Sequence, residues 1–108
     1  MGKFEIKKDK AGEFRFNLKA SNGQVILSSE GYKAKPSCIN GIESVRSNSQ
    51  SDERYERKQN SIGHKFNLKS PNGQVIGTSE VYTSASAMEN GIASVMKNAP
   101  EASIDDQS

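Results

Sequence analysis

The sequence predicts an α+β fold: two tandem β-β-β-α(-β) repeats forming one pseudo-twofold antiparallel sheet covered by two helices. Three observations predict it. Residues 14–49 align without a gap on residues 64–99, with 18 of 36 positions identical, and a fixed offset of this size marks repeated supersecondary units. Within each copy the apolar period is two before Tyr32 and Tyr82 and about 3.6 after them, so strands precede a helix. With only two copies, each thin apolar face is expected to close on the other, giving one domain over 1–108 rather than an open solenoid.

The elements follow in order. Phe4 to Lys8 alternates apolar and polar residues as a half-buried strand does, and Asp9 to Gly12 supplies turn chemistry. Phe14 to Lys19 is the clearest strand, with Phe14, Phe16 and Leu18 on one face and Arg15, Asn17 and Lys19 on the other. Asn22-Gly23, repeated as Asn72-Gly73, predicts a two-residue hairpin turn with both residues at positive φ. A third strand is expected over 24–29. Val25 and Ile26 fall on opposite faces there, and the pattern alone does not choose between them.

After Tyr32, Cys38, Ile42 and Val45 recur at helical spacing, as do Met88, Ile92 and Val95 in the second copy; each set forms one stripe that covers the sheet. Pro36 suits a first helical turn and Ser84 an N-cap, which places the helix starts near 35 and 85. Gly41 and Gly91 sit mid-helix, where glycine costs about 1 kcal/mol relative to alanine. Their duplication predicts a close approach of helix to sheet. A one-residue shift sets Phe4-Glu5 over Tyr55-Glu56, so the repeats span about 1–50 and 51–104, joined by residues 50–53. Residues 102–105 are expected to form a brief closing strand and 105–108 a disordered tail.

Composition narrows the function classes. Leu, Ile, Val and Phe number 20 of 108, close to the level of disordered chains, but the formal charge is only +2, so an ordered domain is expected. Residues 1–50 carry +4 (nine Lys/Arg, five Asp/Glu) and residues 51–108 carry −2 (six, eight), with no clustered basic arm. Cys38 is the one cysteine, which excludes an internal disulfide and a thiolate metal cluster. The N-terminus has no apolar signal core, and no apolar run reaches the roughly 18 residues that cross a bilayer; a cytoplasmic location is expected. Gly2 follows Met1, but Ile6 stands where a myristoylation motif needs Ser or Thr.

The pattern of aromatic-led strand, NG turn, Ser-Glu-x-Tyr segment and NGIxSV helix resembles the YegP-like bacterial proteins. The matching stretches are Phe16 to Tyr32 with Asn40 to Val45, and Phe66 to Tyr82 with Asn90 to Val95. The resemblance implies two β3-α-β units sharing one sheet, with the strand after each helix exchanged towards the other unit. It further implies that single-repeat members are dimers of this arrangement, and it implies no activity.

Candidate residues are few. His64 aligns with Phe14 on the apolar side of a strand, and no second His, Cys or carboxylate cluster stands beside it, so a structural role is expected. Cys38 aligns with Met88 on the buried stripe and reads as core. The duplicated Ser29-Glu30 and Ser79-Glu80 offer Glu30 and Glu80 as ligand carboxylates, which a pseudo-twofold would bring together if the two strands meet. Arg15, Asn17, Lys19, Lys65, Asn67 and Lys69 form a polar sheet face able to hold a phosphate backbone or an acidic partner, without aromatics of the same parity for base stacking. The expectation is a monomer of pseudo-dimeric symmetry: a non-enzymatic binding module without catalytic residue, metal, cofactor or membrane contact, and with no identifiable ligand. Weak nucleic-acid binding by the basic face is the second reading, and a ligand or enzyme site at the Ser-Glu segments the third.

Overall fold

Alternation and helical spacing, each present twice, produce each element twice. A computed structural model describes residues 2–108; Met1, and with it the start of the N-terminal reading, lies outside the described residues. The first copy supplies β1 (Lys3–Lys8), β2 (Phe14–Lys19), β3 (Val25–Ser28) and α1 (Lys35–Asn48). The second supplies β4 (Tyr55–Gln59), β5 (His64–Lys69), β6 (Val75–Thr78) and α2 (Ala85–Asn98), and β7 (Ser103–Asp106) follows. The strands form one sheet in the order β4-β5-β6-β3-β2-β1-β7.

The pseudo-twofold passes between β3 and β6, which meet at a single antiparallel pair, Ser28 opposite Thr78. Both helices lie on one face of the sheet, and each crosses the boundary between copies: α1 covers β2 and β6, and α2 covers β5 and β3. Cys38, Ile42 and Val45 of α1 and Met88, Ile92 and Val95 of α2 are all buried with Phe4, Phe16, Leu18, Phe66 and Leu68. Pro36 lies in the first turn of α1, and the Ser84 hydroxyl accepts the Ala87 N–H at 3.0 Å to cap α2. At Gly41 a Cβ would stand 2.5 Å from the Tyr32 hydroxyl, and Gly91 meets Tyr82 in the same way. The close approach is therefore to a tyrosine, whose ring stacks on Phe16 or Phe66 at 6.4 Å.

Three features differ from expectation. The NG turns are three-residue loops: Ala20 and Gln24 close one, Ser70 and Gln74 the other, and only Gly23 and Gly73 have positive φ. Asn22 and Asn72 instead accept the N–H of Gln24 and Gln74 through their side chains, and Pro71 fits the first central position of such a turn. Second, both hairpins carry a register shift, Leu18 opposite Leu27 but Lys19 opposite Val25, so that Ile26 has no opposite residue. Ile26 and Leu27 are then both buried, a pairing that strict alternation forbids. Third, β7 runs parallel to β1, so the sheet is not wholly antiparallel, and pairing continues through Asp106, inside the segment expected to be a disordered tail.

The exchange of strands holds for one copy in full. The chain leaving α2 crosses to the first copy as β7, whereas the chain leaving α1 passes through a 3-10 turn (Asp52–Arg54) and becomes β4 itself. No helix among the described residues is long and apolar enough to cross a membrane.

Candidate functional site

Helices on one side leave the opposite face of the sheet uncovered, and strand parity decides what stands on it. Residues directly opposite across an antiparallel pair share a face. Lys3, Glu5 and Lys7 of β1 therefore stand with Lys19, Asn17 and Arg15 of β2, and Glu56 and Lys58 of β4 stand with Asn67 and Lys65 of β5. The six residues expected there, Arg15, Asn17, Lys19, Lys65, Asn67 and Lys69, do lie together on this face, which adds Lys3, Lys7 and Lys58 to them.

Two carboxylates organise the cations. Glu5, nearly enclosed by lysine stems, has the ammonium groups of Lys19 at 3.1 Å, Lys7 at 3.3 Å and Lys3 at 3.8 Å. In the second copy Glu56 holds Lys69 at 3.0 Å and Lys58 at 3.7 Å and accepts from the Asn67 amide at 3.1 Å. The Lys19 ammonium foremost holds the Glu5 carboxyl below the usual carboxylate range, and Lys69 does the same for Glu56. Arg15 is paired with Asp9 at 2.7 Å. Sequence reasoning missed Glu5 and Glu56 because their role depends on register. The available signal was their recurrence at matched positions before each clear strand.

Glu30 and Glu80 line one groove of about 290 Å³ across the pseudo-twofold, together with Val25, Val75, Ser28, Thr78, Ser29 and Ser79. The Ser28–Thr78 pair brings the two segments side by side and antiparallel. The two copies share a groove, and the Glu80 carboxylate accepts from the Gln24 amide of the first copy at 3.5 Å. The Ser29 and Ser79 hydroxyls are committed to the sheet, each accepting the Phe16 or Phe66 N–H at 2.9 Å and donating to the carbonyl of the following Glu.

His64 bridges to Tyr82 through the backbone on both sides, as Phe14 does to Tyr32, and stays partly exposed. Cys38 is buried, and burial pushes its thiol up. Among the described residues no group of three His, Cys, Asp or Glu comes together to hold a metal.

Comparisons agree with this duplicated architecture. The family model described as a domain of unknown function (DUF1508) matches twice, at residues 9–56 and 61–106. The UPF0339 protein in the ptx operon 5′ region of Stutzerimonas stutzeri is 68% identical over 57 residues, covering 53% of this chain and 51% of that protein. UPF0339 protein YegP of Yersinia pestis is 57% identical over 61 residues, 56% and 54% of the two chains. This chain thus spans about half the length of the curated relatives it matches first. By contrast, UPF0339 protein Atu5359 of Agrobacterium fabrum matches over 92% of its own length, 58% identical across 57 residues and 53% of this chain. The solution structure of yegP from E. coli superposes with a TM-score of 0.93 at 50% identity, covering 98% of this chain and 92% of that one. That of UPF0339 protein SO3888 from Shewanella oneidensis gives 0.92 at 46% identity over 97% and 90%. Two copies of one unit, a sheet ordered about the boundary between them and these matches together place the chain in the YegP-like DUF1508 family, in its tandem-repeat form.

Proposed function

We propose that the protein is a non-enzymatic binding module whose open sheet face holds a polyanion, with single-stranded nucleic acid as the class that fits best. The observation that supports this reading is the repeated pairing of like charges across strands. Lys7 lies opposite Arg15, its second-copy counterpart Lys58 lies opposite Lys65, and Lys3 lies opposite Lys19. Cations facing each other in this way weaken a sheet, and Glu5, Glu56, Asp9 and Asp105 offset part of the repulsion. A phosphate chain laid across the face relieves the rest and releases its own counterions. The outward strand positions carry no aromatic ring, so contact is with the backbone of the ligand and not with stacked bases.

The test follows from the pairing. The informative set is Lys7, Arg15, Lys58 and Lys65, replaced together by Gln, which leaves the shorter Lys19–Glu5 and Lys69–Glu56 pairs in place. Fluorescence anisotropy with short RNA and single-stranded DNA should show low-salt binding by the parent, with a logarithmic salt slope of about −0.7 per phosphate contact. The variant should lose affinity similarly for all sequences and keep its fold. A parent that does not associate with either at low salt defeats the proposal.

A second reading is supported by the groove at the pseudo-twofold, where both Ser-Glu segments contribute to one concavity. It takes a small polar ligand there. NMR titration with a metabolite panel should then move signals of Glu30, Glu80, Ser28 and Thr78 saturably, and an unmoved spectrum removes this reading.

A further inference from the structure

The parallel strand β7 is held differently from every other strand. Of its residues Ser103, Ile104, Asp105 and Asp106, only Ile104 is apolar, and it remains 40% exposed. Polar groups hold it. Lys3 pairs with Asp105 at 3.2 Å, Lys35 with Asp106 at 2.7 Å, the Arg46 guanidinium donates to the Ala102 carbonyl, and the Gln107 N–H donates to the Ile6 carbonyl at 2.8 Å. Exposed ion pairs are individually weak and screened by salt, so these side chains add little to the backbone ladder that joins the strand to β1.

The lane it occupies is nonetheless shaped for such a segment. Ile6 directs its carbonyl outward, and strand alternation gives Phe4 and Lys8 the same outward backbone groups. Lys3, Lys35 and Arg46 flank the lane. The matching edge of the second copy is built otherwise: one-residue alignment places Arg57 at the position of Ile6, while Ala85 replaces Lys35 and Met96 replaces Arg46. There Arg57 is taken up by Glu89 at 2.5 Å and Asp52 at 2.7 Å. Of the three flanking cations only Lys3 has a basic counterpart at the other edge, Arg54, so that edge lacks two of the clamps for an acidic strand.

We propose that the outer edge of β1 is a strand-addition site for an acidic extended segment of a partner polypeptide, an apolar residue followed by two carboxylates, and that β7 is its built-in competitor. Strand addition uses backbone hydrogen bonds for affinity and flanking side chains for selection. The cations select the acids, and displacement of β7 frees the lane. This inference is independent of the polyanion reading, since it concerns the backbone edge and not the open face.

The probe is a synthetic peptide of residues 102–108, added to the isotope-labelled full chain and followed by NMR. An attached strand has an effective concentration in the millimolar range, so the peptide should act at about millimolar levels. It should shift the amides of Phe4, Ile6 and Lys8 and drive those of 103–107 towards free-chain positions. A chain carrying Asp105→Asn and Asp106→Asn should need about tenfold less peptide because its own strand competes less. A peptide with Asp105→Lys and Asp106→Lys should do nothing, and Tyr55 to Gln59 should not move. Amide exchange in β7 should also be about tenfold or more faster than in β2. Absence of the β1 shifts, equal action by the lysine peptide, or equal perturbation of β4 would each overturn the proposal.

Discussion

The two copies share a fold but finish their outer edges in opposite ways. In the first, Ile6 is buried and β7 covers the edge. In the second, β4 ends the sheet, and Arg57 stands where Ile6 would be, bound to Glu89 of α2 and to Asp52. Inward-pointing charge and exposed lysines are the usual protection of an unpaired edge against association. The centre is asymmetric too. Leu27 meets Gly77 at the pseudo-twofold, and a Cβ on Gly77 would stand 2.6 Å from the Leu27 side chain. Two identical chains would place the same residue at both positions, whereas covalent duplication lets one leucine fill the space of two. Joining the copies therefore allowed centre and edges to diverge while the helix stripes stayed alike.

The largest effects should come where the copies are equivalent. Ile42→Ala and Ile92→Ala should each cost about 2 to 5 kcal/mol, because both side chains are buried on matching stripes. Chemical denaturation checks this, and a loss below about 0.5 kcal/mol at one of them would break the equivalence. Next comes the centre. Gly77→Leu should destabilise by about 1 to 3 kcal/mol through overpacking, and adding Leu27→Gly should restore most of that loss. An additive double variant would mean that the two positions do not share a space.

The edges sharpen the contrast. Arg57→Ile should make the second edge as apolar as the first without giving it a covering strand, so sedimentation of the variant should become concentration-dependent where that of the parent does not. The β7 edge should respond to acid. Lys35 holds the Asp106 carboxyl down to about 2, and Asp105 is lowered by Gln107 and Lys3. A depressed folded-state value means stability that is present above the unfolded-state value near 3.8 and is lost as pH falls through about 2. Amide protection within β7, measured relative to the intrinsic exchange rate at each pH, should accordingly fall between pH 4 and 2 before that of β2.

Much of this was legible in the chain. The two periods, Pro36, Ser84 and the paired glycines Gly41 and Gly91 located both helices and the strands before them, because each is a local signal present twice. What depends on register was not legible. Ile26 is buried only because a bulge removes its opposite residue; Glu5 and Glu56 gather lysines only once β1 and β4 pair with their neighbours. The shared groove of Glu30 and Glu80 required the Ser28–Thr78 pair, and the parallel run of β7 beside β1 joins opposite ends of the chain, which no local pattern encodes.

The smallest predicted effect bears most directly on the open face. If Lys7, Arg15, Lys58 and Lys65 are opposed across strands at a cost to stability, relieving the opposition should stabilise the free protein. The decisive measurement is the urea midpoint of the variant carrying Lys7→Gln and Lys65→Gln, at low salt and without ligand. The midpoint should lie above that of the parent, a gain of about 0.2 to 1 kcal/mol for each pair relieved. A midpoint at or below that of the parent would show that these cations stabilise the sheet, and would contradict a face that gives up stability to hold a polyanion.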